Sequence, residues 1–187
     1  MTSVDLAGTS PLGGGIHVKP GVELGDTQLA YLRRVRGRLA EDIVVTSGIR
    51  TALSQAQTLI TKIRLYATED EALAALHALY RRDDLIDDFW PSRGSVTELA
   101  AALEGQIARG NLLSSHLSGR ALDLRVRGYT PEALAALEVA CVAEGGRVVT
   151  EGKPPHMHVE IRGESDRRSP PTLTPGTVRT ARGPRVL

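Results

Sequence analysis

One cysteine, one phenylalanine and one tryptophan in 187 residues set the first limits on this chain. A single cysteine excludes an intramolecular disulfide framework and any zinc site built from several thiolates. Aromatic residues make up 3% of the chain. The core must therefore be aliphatic, and a base-stacking platform for nucleic acid has little to stack with. A dominant charge is also missing. Lys and Arg number 23 against 22 Asp and Glu, a net charge of +1, which leaves no electrostatic footprint for DNA or an anionic membrane. Five Arg and two acids follow residue 163, so the slight basicity belongs to the tail. No apolar run approaches the ~18 residues of a membrane span. The N-terminus, Met-Thr-Ser-Val-Asp-Leu-Ala-Gly, has neither a basic n-region nor an apolar h-region, so no secretory signal is expected.

What is present suits one folded domain with tails. Hydrophobic residues are 41% and charged residues 24%, enough for a core. Residues 1–15 are small and end in Gly13-Gly14-Gly15; they read as a flexible arm. Residues 164–187 are rich in Pro, Gly, Arg and Thr without periodicity and read as an extended basic arm. A chain of residues 16–163 is expected to fold without either.

Within that body, Asp26 or Thr27 can cap a helix to about residue 40, and residues 42–46 form a β-branched strand. Helices are expected at about 52–66 and 69–82. Residues 83–94 are acidic and interrupted by Pro91 and Gly94. Ser95 and Glu98 form a capping box that opens a helix to about 109. Residues 119–126 alternate as a strand. Thr130-Pro131 opens a helix stopped by Gly145-Gly146. Residues 147–151 and 157–161 form a hairpin with a loop of four or five residues. Helices and strands are not strictly interleaved, so the expected class is α+β: a small antiparallel sheet with a helical layer on it.

The chemistry concentrates in the last two strand regions. Met157, Val159 and Ile161 alternate with His156, His158 and Glu160, which puts two imidazoles and a carboxylate on the polar face. The hairpin register sets Glu151 opposite or next to His156. Leu122, Leu124 and Val126 alternate with Ala121, Asp123 and Arg125. A sharp turn at Gly119 would bring His116 to Asp123, and small Ala121 leaves room there. His116, Asp123 and His158 then offer two imidazole nitrogens and a carboxylate oxygen, a zinc-ligand set whose fourth position stays open. Cys141 and His77 lie in apolar helical runs and read as structural; His17 reads as a loop residue.

At these residues the chain resembles a known family. Ser114-x-His116-x-x-Gly119-x-Ala121-x-Asp123 matches the signature of the D-alanyl-D-alanine carboxypeptidase-like zinc peptidases (M15-type, LAS-fold) at all five specified positions. Pro155-His156-Met157-His158-Val159-Glu160 resembles their closing His-x-His motif. Residues 45–51 resemble their strand followed by Ser-Gly-Tyr-Arg-Ser. The resemblance spans roughly residues 26–162.

It implies a LAS/hedgehog-like fold with one Zn²⁺ on the sheet face, held by His116, Asp123 and His158. It also implies hydrolysis of a peptidoglycan peptide bond, in a D-Ala-containing cross-link or stem peptide, by metal-activated water. Arg50 matches the arginine that contacts substrate and the developing oxyanion. Glu151 is the candidate base and His156 its partner; the position where some members carry the base is Pro155 here. Ser114 and a cleft-facing Gln, either Gln55 or Gln57, are candidate substrate contacts. Ile49 replaces the usual Tyr, and 66–110 is long enough to be a helical insertion that lines or covers the cleft. The expected partners are peptidoglycan stem peptides, with phage tail or other virion proteins meeting the arms. Without a signal, delivery would be by phage lysis or with a virion, or the enzyme would stay cytoplasmic. The competing expectation is a non-catalytic zinc-binding module of the same fold, for wall recognition or virion structure.

Overall fold

Apolar burial on one face of the C-terminal strands fixes the layout. A computed structural model describes residues 6–152 and 155–162; residues 1–5 of the first expected arm and all of 164–187 lie outside the described residues. Met157, Val159 and Ile161 are buried with Leu122 and Leu124 in one apolar cluster. Each fully buried aliphatic side chain is worth about 1.5–3 kcal/mol. A one-residue slip would turn all five to the opposite face, so the register is strongly specified. That same register places Asp123 opposite His158, Arg125 opposite His156, and Glu151 opposite His156. The polar face is thus aligned by what is buried behind it.

The strands are β1 (Ser10–Gly13), β2 (Ile16–Val18), β3 (Ile43–Ser47), β4 (Ala121–Arg125), β5 (Gly146–Gly152) and β6 (Pro155–Ile161). The helices are α1 (Asp26–Arg36), α2 (Ala52–Ile63), α3 (Glu69–Tyr80), α4 (Asp83–Phe89), α5 (Val96–Ala108) and α6 (Pro131–Ala143). Among the described residues these six strands form one sheet in the order β1-β2-β3-β4-β6-β5. The class is α+β, as expected. Tyr31, Leu32 and Val35 of α1 and Leu137, Ala140 and Cys141 of α6 join the sheet's apolar cluster. A second cluster joins α2, α4 and α5 with Leu76 of α3. Lys62 of α2 pairs with Glu151 of β5, so this helical group meets the polar face.

Several expectations change. The sheet is mixed, because β2 runs parallel to β3; α1 lies in the crossover that a parallel pair requires. The first helix is capped by Gly25, whose N–H donates to Gln28 Oε1 (3.0 Å), and it stops at Arg36. Residues 83–89 are helical, with Leu85, Ile86 and Phe89 buried beneath exposed acids. The C-terminal hairpin pairs as far as Gly152 with Pro155, so only residues 153–154, outside the described residues, separate its strands. His17 lies in β2, with Nε2 3.0 Å from Asp42.

The first arm is the largest correction. Residues 10–13 are a strand paired with β2. Gly14 and Gly15 have φ of 60° and 78°, the positive values that both central residues of a type I′ turn need. The glycine run read as a linker is a hairpin turn. All four β1 residues are exposed, so the strand contributes chiefly backbone hydrogen bonds, each worth about 0.5–1.5 kcal/mol net. One kcal/mol moves the melting midpoint of a chain this size by about 2–4 °C. A chain beginning at residue 16 should therefore melt several degrees below one beginning at residue 6. Equal midpoints in thermal denaturation would show that β1 adds nothing.

Candidate metal centre

The site is built by a turn and two paired strands. Residues 115–118 form a single 3-10 turn closed by Gly119 at φ 67°, a conformation that glycine adopts without the Cβ clash. The turn carries His116 back over the start of β4. His116 Nε2 lies 3.2 Å from Asp123 Oδ1, and His158 Nδ1 lies 2.9 Å from the same oxygen. One donor atom from each of His116, Asp123 and His158 lies within 4.8 Å of the others. His116 and Asp123 are buried, at 1% and 6% exposure.

The hydrogen bonds around His116 decide what this cluster can hold. Its Nδ1 is 2.6 Å from the Gly48 carbonyl oxygen. A carbonyl only accepts, so Nδ1 carries the hydrogen, and the neutral ring presents a lone pair at Nε2. That lone pair faces a carboxylate oxygen. Two acceptors 3.2 Å apart repel unless a proton or a cation lies between them. Burial lowers the His116 pKa despite Asp123, which disfavours the proton. A metal ion could take that place, and the tautomer fixed from behind is the usual support for a metal-ligating imidazole.

The charges agree. Burial opposes ionisation of Asp123, but His116, His158 and Arg50 together hold its carboxyl far below the usual range. Burial also opposes a charged His158, yet Asp123 and then Glu160 lift it to about 9. His158, aided by Arg147, lowers Glu160 to about 2 against burial.

Comparison with protein-family models, curated proteins and solved structures finds no match to this chain. The residues themselves therefore carry the functional reading.

Their placement refines the expected roles. Arg50 donates to Asp123 Oδ2 (2.6 Å), to Ser47 Oγ (2.9 Å) and to Gln55 Oε1 (3.1 Å). Its guanidinium is held against Asp123 Oδ2, while His116 and His158 approach Oδ1. Gln55 is fully buried and supports Arg50, whereas Gln57 is exposed. Ser114 is 7% exposed, and its hydroxyl accepts the His116 N–H (3.4 Å). It caps the turn that carries the ligand. His156 Nε2 lies 3.5 Å from Asp123 Oδ1 and 3.7 Å from Glu151 Oε1.

Two residues were missed. Lys62 Nζ lies 2.7 Å from Glu151 Oε2, and both side chains are largely buried. Tyr80 of α3 places its hydroxyl 3.5 Å from Gln55 Nε2. Burial and the Glu151 charge raise the Tyr80 pKa, so it remains a neutral hydroxyl. Sequence spacing carries no signal for either; both reach the site only because the helical group lies against the polar face.

Breaking a largely buried ion pair by removing one partner costs about 3–5 kcal/mol, and losing a residue that orients a metal ligand costs about 10–100-fold in metal affinity. Arg50→Ala should therefore weaken metal retention by about that factor, besides any effect on turnover. Competition with a chromogenic chelator measures it, and unchanged affinity would release Arg50 from its role on Asp123.

Proposed function

We propose that this protein is a zinc-dependent peptidase acting on peptidoglycan peptides, with a LAS/hedgehog-like fold. The observation that carries the reading is the buried His116 Nε2 lone pair facing Asp123 Oδ1 beside His158 Nδ1. Two imidazoles and one carboxylate are the donors of a catalytic zinc site with an open position. When bound, Zn²⁺ supplies a Lewis acid for the peptide carbonyl and brings the pKa of a coordinated water to about 7.

The chain's own residues divide the remaining work. Gly48 orients His116 through its carbonyl, and Arg50 orients Asp123. Glu151 takes the proton from the attacking water as general base. Lys62 holds Glu151 Oε2, leaving Oε1 toward His156. His156 lies between Glu151 and Asp123 and orients the base or donates a hydrogen bond to the developing charge.

The test combines elemental analysis of purified protein with mass spectrometry of defined muropeptides after digestion. One zinc per chain and a new peptide terminus at a single bond are expected. Intact muropeptides with fully zinc-loaded protein would remove the peptidase reading and leave a metal-binding module.

A further inference from the structure

The two edges of the sheet are β1 and β5, and they are built differently. β1 is four residues long, carries Pro11 and shifts register between Pro11 and Gly13. A short strand, a proline without its N–H and a bulge all guard an edge against pairing with another chain. β5 has none of these. Its seven residues, Gly146–Gly152, run in unbroken register against β6.

The direction of the β5 backbone groups follows from β6. Ile161 N–H donates to Arg120 O (2.8 Å), on the β4 side. Backbone groups alternate sides along a strand, so Glu160, His158 and His156 turn theirs to β5, where they meet Arg147, Val149 and Glu151. Val148 and Thr150 therefore aim N–H and C=O away from the sheet. Among the described residues no backbone group meets them there.

This edge is complementary to itself. Gly-Arg-Val-Val-Thr-Glu-Gly is centred on Val149. Laid antiparallel on a second copy about that centre, Val148 falls opposite Thr150, and their outward groups exchange both backbone bonds. Arg147 falls opposite Glu151, at a non-hydrogen-bonded pair, where facing side chains come closest and opposite charges attract. A parallel pairing would set arginine on arginine. Both charges have capacity left. Arg147 is exposed and donates one bond to Glu160 (2.9 Å). Glu151 Oε2 is held by Lys62, and Oε1 is 3.7 Å from His156.

We propose that β5 is a self-association edge: two copies of this chain pair antiparallel through Gly146–Gly152, so that their sheets become continuous and Arg147 of each copy faces Glu151 of the partner subunit. Each copy has one β5, so assembly stops at two. The pairing needs neither the metal nor the peptidase reading.

Sedimentation equilibrium of the full chain tests it. The protein should associate reversibly to twice the mass of one chain as concentration rises, with or without zinc. Thr150→Pro removes an outward N–H and no bond to β6, and proline is accepted on an edge strand in that orientation. Two donors are lost per dimer, so Kd should rise about 10–100-fold. Arg147→Glu leaves the backbone intact and sets like charges opposite each other twice; it should weaken the dimer about 10-fold at low salt. It keeps the test open if Thr150→Pro misfolds. Zinc content of the folded variants should stay at wild type. A single-chain mass up to about 1 mM protein, assembly beyond two copies, or a dimer whose Kd is unchanged by Arg147→Glu would overturn the pairing.

Discussion

Replacing His158 with alanine should strip the metal and abolish hydrolysis. Among the described residues three groups form the candidate donor set, so the variant keeps two of them. The loss should exceed the about 100-fold upper value for removing a mere supporting partner. Elemental analysis after gel filtration checks it, and full zinc in His158→Ala would remove this residue from the ligand set. The same imidazole predicts a pH dependence. Burial works against its charge, but Asp123 and Glu160 raise its pKa to about 9 in the metal-free protein, against about 6.5 unfolded. A raised folded pKa gives stability that is complete below the unfolded value and lost as pH rises through the folded one. The metal-free protein should thus lose this contribution between about pH 6.5 and 9. Zinc replaces the proton as the charge facing Asp123, so the loaded form escapes that loss. The gap in melting temperature between loaded and metal-free protein should widen over that interval; a constant gap would mean that His158 does not carry the exchanged proton.

Glu151→Gln should keep zinc and lose most of kcat. Removal of a general base typically costs about 10²–10⁴ in rate, and glutamine keeps the shape while losing the basicity. The substitution also leaves Lys62 without its partner in a largely buried pair, so a stability loss has to be separated from the chemical one. The double variant Glu151→Gln with Lys62→Met removes the stranded charge; it should recover stability without recovering rate. His156→Ala should be damaging yet keep the acidic limb of the pH–rate profile. If Glu151→Gln stays near wild type while His156→Ala loses that limb, the base is His156.

The parts legible in the sequence are those set by short-range periodicity. Period-2 alternation in 156–161 and 121–125 was enough to put His158 and Asp123 on the polar faces of their strands and Glu151 opposite or next to His156; that β4 pairs with β6, setting His158 against Asp123, is seen only in the fold. The Thr130-Pro131 start and the Ser95 cap were likewise local and are present. Three kinds of feature were not legible. β2 spans only Ile16–Val18, too short for alternation to register, and its turn glycines are compositionally those of a linker. The acids of 83–88 hid an amphipathic turn whose apolar side is Leu85, Ile86 and Phe89. Lys62, Gln55 and Tyr80 act through packing between helices and sheet, so their roles depend on distances across the fold. Gln55 and Gln57 could be distinguished only once the buried side of α2 was known.

The apolar interior is divided in two, and the division runs beside the metal centre. Among the described residues, the three groups that could hold a metal ion belong to the sheet side, on β4, β6 or the turn before β4. Lys62, Gln55 and Tyr80 belong to the helical side, which has its own cluster. The three donors and the helical side chains that brace their surroundings are therefore supplied by different layers of one chain. The helical side in this sense acts on the centre at one remove, through Gln55 on Arg50 and Lys62 on Glu151.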